Sequence, residues 1–353
     1  MSPNPLVSGF NRRTMLTAIS TLVAFFGALH PVAASDKTLI RGDPLASWNE
    51  GAAKQAIVDF VRATTGPASS DYVSPDERIA VFDQDGTLWV EHPLSTQGYY
   101  CLERVPALVA KHPGLRNVEP FKTVLSGNRE AIAKLTTRDL EKIVDLTLTG
   151  MTTDEFDADV TKWLAAAKDR RWNRPYTELI YQPMIELMRY LRNNGYKTYI
   201  VAGGGQDFVR VFSERVYGVP PEQVVGTIGG TKLGYDKGGR PFLIKEPKFL
   251  LNDDKAGKVE AIHFMIGRRP NAAFGNSIGD REMLEWTATG SGSRLVMLVL
   301  HDDAAREYAY GSVQGLPDPT LGAFTASLYD EAKKRRWPLI SMKNDWKQIF
   351  AFE

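Results

Sequence analysis

Two aspartates, Asp83 and Asp85, stand two residues apart in the stretch Phe82, Asp83, Gln84, Asp85, Gly86, Thr87, Leu88, directly after the apolar run Ile79 to Phe82. Carboxylates at i and i+2 beyond the end of an extended segment can face one crevice, where their mutual repulsion suits a hard cation. An Asp-Gly turn with both acids in solvent is the plainer alternative. Other reactive groups stand in the same relation to an apolar run. Gly203, Gly204 and Gly205 follow Thr198 to Val201 and Ala202, ahead of a helical pattern that begins near Phe208. Backbone N–H groups in such a turn can hold an anion, although a glycine turn without a ligand has the same pattern. Asn276 and Asp280 follow Ala272 to Phe274 and offer one neutral oxygen ligand and one charged one. Lys258 stands at the start of a helical pattern, with Lys255 three residues earlier as its rival. A lysine on a helix is ordinarily just solvated.

Bringing these groups together requires several strand ends on one edge of a sheet. Asn49 and Glu50 open a helix with Ala53, Ile57, Phe60 and Val61 on its apolar face, and Asn49 is its expected N-cap. After a loop from Pro67 to Glu77, the apolar run Ile79 to Phe82 reads as a buried parallel strand. From Trp89 to about Pro175 the chain is helical and dense in charge, without strand alternation. A regular rhythm follows: helix from Pro183, strand Thr198 to Val201, helix Phe208 to Tyr217. Residues 224–245 alternate around Gly229, Gly230, Gly238 and Gly239 as a β-hairpin. Helix Lys258 to Met265, strand Ala272 to Phe274, helix Arg281 to Thr287 and strand Leu295 to Leu300 continue it. Helix Leu321 to Arg336 and a strand near Leu339 to Met342 close the chain. The expected fold is α/β, a Rossmann-like doubly wound parallel sheet with an inserted α-helical cap and a small β-hairpin excursion. In such sheets ligands bind beyond the carboxyl ends of the strands, where the polar groups above stand.

Composition narrows the partners. With 43 basic and 42 acidic side chains in 353 residues the net charge is +1, which gives no broad field for nucleic acid or an anionic membrane. Cys101 is the sole cysteine, so neither an intramolecular disulfide nor a cysteine-built zinc site can form. Arg12 and Arg13 precede a stretch, Thr14 to Ala34, without Lys, Arg, Asp or Glu. That order predicts a signal peptide over 1–34, twin-arginine-like or Sec, cleaved after Ala34, and hence an exported, periplasmic protein without stable membrane association after cleavage. An uncleaved anchor is the second reading, disfavoured by the short run with Thr17, Ser20, Thr21 and Gly27 that ends at Pro31.

The stretch Asp83, Gln84, Asp85, Gly86, Thr87 resembles the DxDGT motif that opens phosphatases of the haloacid dehalogenase (HAD) superfamily. The order of the four elements, with helices between the first two and a hairpin between the second and third, resembles its phosphoserine-phosphatase-like branch. It is similar to exported members sharing stretches such as Gly267, Arg268, Arg269, Pro270 and Tyr176, Thr177, Glu178, Leu179. The resemblance implies a core domain of residues 35–88 and 176–353 and a cap domain of residues 89–175. It implies that Asp83 is the nucleophile of an aspartyl-phosphate intermediate, that Asp85 is the general acid and base, and that Lys258 pairs with Asp83 and the phosphoryl oxygens. The dehalogenases of the superfamily lack the second aspartate. Ala202, Gly203 and Gly204 fall where relatives bind the phosphoryl group, with Ala202 replacing the usual Ser or Thr. Asp83, Asp85, Asn276 and Asp280 would hold Mg2+; Asn276 stands where Asp is common, and the apolar Ile278 is a further departure. Glu91, Tyr99, Tyr100 and Arg104 are candidate cap contacts; His92, just past the first motif, reads as a surface histidine, with a position facing substrate from the cap hinge as the alternative. The implied function is a magnesium-dependent phosphomonoester hydrolase acting on a small phosphorylated metabolite. The alternatives are an impaired relative that binds a phosphorylated ligand without turnover, and phosphoryl transfer to an acceptor other than water.

Overall fold

The run Ile79–Phe82 forms β1, buried at all four positions, at the centre of a seven-stranded sheet. The computed structural model describes residues 42–316 and 322–353. The expected signal peptide, its cleavage after Ala34, and Leu321 lie outside the described residues. The other strands are β2 (Lys197–Gly205), β3 (Val224–Tyr235), β4 (Pro241–Leu251), β5 (Ala272–Gly275), β6 (Leu295–Leu300) and β7 (Leu339–Ser341). They lie in the order β4-β3-β2-β1-β5-β6-β7, parallel throughout except for the antiparallel β3–β4 pair. The period of two along a strand divides β1 between two cores. Ala80 and Phe82 face one, with Ile200, Phe274 and Met297; Ile79 and Val81 face the other, with Val201, Ala273 and Leu298. Residues of helices Ala52–Thr65, Gln182–Asn193 and Gln206–Tyr217 cover the first face, and those of Ala256–Met265, Arg281–Ala288 and Ala326–Arg335 the second. Apolar cover on both faces is why the central strands read as unbroken hydrophobic runs.

Between β1 and β2 the chain carries helices Thr96–Lys111, Phe121–Leu125, Arg129–Ile132, Thr137–Thr147 and Thr153–Ala166. Thr136 and Thr152 open the last two with reciprocal capping boxes to Asp139 and Glu155. The β3–β4 hairpin touches this insertion, for Lys245 N–H donates to Met151 O at 2.9 Å and Gly150 N–H to Lys245 O at 3.0 Å.

Several boundaries differ from the sequence reading, each for a tertiary reason. The first helix starts at Ala52 with Gly51 as N-cap, not Asn49. Asn49 is taken by the C-terminal segment: its backbone N–H donates to Asp345 O and its Nδ2 to Asn344 O, both at 2.8 Å. Strand β2 does not stop at Val201 but runs through Gly205, because Ala202 and Gly205 pair with Gly226 and Thr227 of β3 across an irregularity. The hairpin extends past Lys245 to Leu251. The helix expected from Leu321 begins at Ala326, where Thr325 Oγ1 accepts from Leu328 N–H at 3.2 Å, and a short helix, Met342–Asp345, follows β7.

Candidate active site

Asp83 is the first residue beyond β1, and its backbone N–H still joins the sheet by donating to Phe274 O at 2.9 Å. The chain then turns back sharply: Leu88 N–H donates to Gln84 O at 2.8 Å, and Gly86 N–H to Trp89 O at 2.9 Å. Gly86 has φ +74°, and a Cβ there would lie 2.1 Å from Asn276 Nδ2 and 2.4 Å from Glu91 Oε1. Glycine is therefore required twice over, by conformation and by space. The turn holds Asp85 beside the crevice, where Trp89 Nε1 donates to its Oδ1 at 2.5 Å.

Lys258 reaches Asp83 from the opposite side. Helix Ala256–Met265 starts hard against the end of the hairpin, since a Cβ on Gly257 would lie 1.9 Å from Asn252 O. That contact buries Lys258, which is 2% exposed. Its ammonium donates to Asp83 Oδ1 at 2.5 Å, Asp280 Oδ1 at 2.7 Å and Val201 O at 2.8 Å. Three acceptors use all three protons, which fixes the charge in place. Lys255, the rival, is exposed at the N-cap of the same helix and does not enter the site. Burial works against the Lys258 charge, but Asp280 and Asp83 outweigh it and hold the ammonium above its usual range.

Asp280 has both carboxylate oxygens engaged within the protein. Oδ1 accepts from Lys258, and Oδ2 accepts from Asn276 N–H and Ser277 N–H, each at 3.0 Å. It comes to the site as expected, but as the anchor of a lysine and a turn. Asn276 Nδ2 donates to Glu91 Oε1 at 2.6 Å, and its Oδ1 accepts from Thr87 Oγ1 at 3.3 Å. Glu91 Oε1 also accepts from Tyr310 OH at 2.7 Å, so Glu91 faces the strand ends.

The electrostatics follow from burying many acids beside one cation. Burial, and then the charge of Asp280, push Asp83 well above the usual carboxylate range, with Lys258 only partly offsetting them. Burial pushes Asp85 up to about 6 against the Trp89 hydrogen bond. Glu91 is raised well above its ordinary value, first by burial and then, against the Tyr310 bond, by the charges of Asp85 and Asp83. An excess of carboxylates with unshared oxygens is the donor set of a hard cation. Asp83 and Asp85 each keep one carboxylate oxygen, Oδ2, without a hydrogen bond among the described residues. Among the described residues, no three His, Cys, Asp or Glu side chains converge to cage an ion unaided. A cation here would therefore use one oxygen of Asp83, the neutral Asn276 Oδ1 and the main-chain carbonyl of Asp85 together with water, which leaves Asp83 Oδ2 and the Asp85 carboxyl to react, a coordination that suits Mg2+.

A third buried acid adjoins Lys258. Asp253 is fully buried, and neither of its carboxylate oxygens is hydrogen-bonded among the described residues. Burial pushes it up to about 7, with Lys258 opposing. An acid whose folded pKa is raised stays protonated after its unfolded counterpart has ionised, so stability falls as pH rises from about 4 to about 7. Asp253→Asn is expected to stabilise the protein by roughly 2–4 kcal/mol at pH 8 and by almost nothing at pH 4. Urea denaturation at the two pH values checks this; equal effects at both would show that Asp253 does not carry the penalty.

Some important groups escaped the sequence reading. His301, buried immediately after β6, contacts Gly86 O through Nε2 at 2.7 Å and Glu307 Oε2 through Nδ1 at 3.0 Å. Both ring nitrogens face acceptors, so this pair braces the turn carrying Asp85. The strand-end rule that singled out Asp83 and Asn276 also applies to His301. Gln97, by contrast, has no sequence signal; its Oε1 accepts from Gly205 N–H at 2.8 Å. Of the candidate cap contacts, Tyr100 is buried and donates to Asp159 at 2.9 Å, while Arg104 pairs with Asp159. Tyr99 stacks on Tyr176, and His92 stacks on Tyr310. Ala202 is buried and Gly203 exposed at the end of β2.

A family model described as haloacid dehalogenase-like hydrolase matches residues 80–285, more than half of the chain. No curated protein matches the chain significantly. Among solved structures, a protein of unknown function from Bordetella pertussis Tohama I is 16% identical, with a TM-score of 0.44 and coverage of 75% of this chain and 98% of the other. A conserved functionally unknown protein from Anaerococcus prevotii is 17% identical, with a TM-score of 0.46 and coverage of 70% and 85%. A phosphoserine phosphohydrolase-like protein from Francisella tularensis is 15% identical, with a TM-score of 0.36 and coverage of 64% and 88%.

Proposed function

This chain belongs to the haloacid dehalogenase-like hydrolase family, and we propose that it is a Mg2+-dependent phosphomonoesterase with Asp83 as nucleophile. The observation that carries this reading is the state of Asp83: Oδ1 is held by Lys258 at 2.5 Å, Oδ2 has no hydrogen-bond partner among the described residues, and Asp85 stands two residues away. Asp83 Oδ2 attacks phosphorus, and the bond from phosphorus to the ester oxygen breaks as Asp85 gives that oxygen a proton. Water then attacks phosphorus of the acyl phosphate and yields a proton to Asp85, releasing orthophosphate and restoring Asp83. An acid raised to about 6 by burial is suited to both transfers. Lys258 keeps Asp83 oriented and adds positive charge for the phosphoryl oxygens, while Asp280 holds Lys258. Mg2+, when bound by Asp83, Asp85 and Asn276, would offset the charge gathered between nucleophile and phosphate. The helices within 89–175 form the cap that selects the substrate, a small phosphorylated metabolite, and the signal over 1–34 directs the protein out of the cytoplasm. Both of these rest on the sequence reading.

Release of orthophosphate from simple phosphate esters, dependent on Mg2+ and lost with a chelator, tests the activity. Asp85→Asn is expected to slow poor leaving groups roughly a hundredfold or more but activated aryl esters far less, because only the former need a proton from the enzyme. Equal slowing of both would leave Asp85 an electrostatic role and remove it as the acid.

A further inference from the structure

Ala202 leaves the phosphoryl cradle one side-chain donor short, and Gln97 stands over the same loop. Helix Thr96–Lys111 is capped by Ser95, whose Oγ accepts from Gly98 N–H at 3.2 Å. One turn into it, the Tyr100 ring packs 5.4 Å from Phe208, in the helix that begins directly after Gly205. Residues i and i+3 share a helix face. Burying Tyr100 therefore directs Gln97 onto the end of β2. Its carboxamide covers two glycines: a Cβ on Gly204 would lie 2.8 Å from Oε1, and one on Gly205 would lie 3.0 Å from Nε2. Oε1 is fixed by Gly205 N–H at 2.8 Å, which fixes the orientation of the amide. Nε2 has no acceptor among the described residues and is not sealed from solvent.

We propose that Gln97 is a phosphoryl-contacting residue, whose Nε2 supplies the neutral donor that the methyl group of Ala202 cannot, so that the site takes phosphomonoester dianions with a side chain from the helical insertion. This rests on the phosphatase reading. The amide suits the task from both ends: its oxygen accepts from the loop, and its nitrogen offers two N–H groups to an anion. A glutamate of the same shape would face the phosphoryl oxygens with a like charge. The assignment also explains how Ala202 is tolerated beside an otherwise complete constellation of Asp83, Asp85 and Lys258.

The test measures orthovanadate binding by calorimetry at saturating Mg2+ in the parent, Gln97→Met, Gln97→Glu, Ala202→Ser and the Gln97→Met/Ala202→Ser double variant. A hydrogen bond to a charged group corresponds to about a tenfold to hundredfold change in affinity. Gln97→Met should weaken vanadate by that factor, and Gln97→Glu by more. Ala202→Ser alone should change binding by less than about threefold, yet restore most of the loss in the double variant, the non-additivity expected of two donors serving one oxygen. Binding by Gln97→Met within about twofold of the parent, or the same loss in both backgrounds, would overturn the assignment. A parent that binds vanadate while Gln97→Met binds equally well sinks this inference alone. A parent that binds none sinks the phosphatase reading with it. Gln97→Glu keeps side-chain size if Gln97→Met fails to fold.

Discussion

Asp83→Asn is expected to reduce phosphate-ester turnover to background, a loss of roughly a thousandfold or more, since a carboxamide cannot form the acyl phosphate. The structure adds a second expectation, on stability. Asp83 is a buried acid raised well above its usual range by burial and by Asp280, so removing its charge relieves a cost. The oxygen of the introduced carboxamide can still accept from Lys258, which keeps its bond to Asp280 at 2.7 Å. The variant should therefore melt at the parental temperature or a few degrees above it while being inactive. Thermal denaturation beside steady-state kinetics reads both. Turnover near the parental rate would remove Asp83 as nucleophile, and a marked fall in melting temperature would contradict the electrostatic account of the site.

Lys258→Met should act in the opposite way on stability. The methionine keeps much of the volume but leaves Asp83 and Asp280 buried without their shared cation, and breaking a buried ion pair from one side costs about 3–5 kcal/mol. Asp83, which burial and the charge of Asp280 hold well above the usual carboxylate range, takes up a proton as pH falls and removes the repulsion, so the loss should be greatest near pH 8 and shrink as pH falls toward 4. Turnover should fall at every pH, because the orientation of Asp83 and the charge facing the phosphoryl oxygens are both lost. Denaturant midpoints across that pH range provide the measurement. A loss of stability independent of pH would mean that Lys258 contributes packing and not charge.

The stabilities of Asp83→Asn and Lys258→Met are expected to diverge because the site holds more negative charge than Lys258 neutralises. Asp83, Asp85, Glu91, Asp253 and Asp280 all lie near that lysine or one another; burial is what chiefly raises Asp83, Asp85, Glu91 and Asp253, and neighbouring carboxylates add to it at Asp83, Glu91 and Asp253. Such an arrangement is costly to fold and is what a bound cation would compensate.

The sheet and the residues at its carboxyl edge were legible in the chain before it was folded. Runs such as Ile79–Phe82 and Leu295–Leu300 are apolar at every position because both faces of a central parallel strand are covered, a local signature of a global arrangement. Asp83, Ala202 and Asn276 could be placed because each follows such a run directly, and Lys258 because it opens the helix before β5. Element ends were less legible where the deciding partner is remote: Asn49 lost its capping role to Asn344 and Asp345, and β2 outran Val201 because Ala202 pairs with Gly226. Which groups share a crevice emerged only on folding. Glu91 turned to Asn276 and Tyr310, Asp280 spent both oxygens on Lys258 and the Asn276 turn, and Gln97 arrived over Gly204 and Gly205 from 108 residues earlier in the chain than Gly205. A hydrogen bond between residues so far apart leaves no period or spacing in the sequence, whereas burial on a strand repeats every second residue and is written where it occurs.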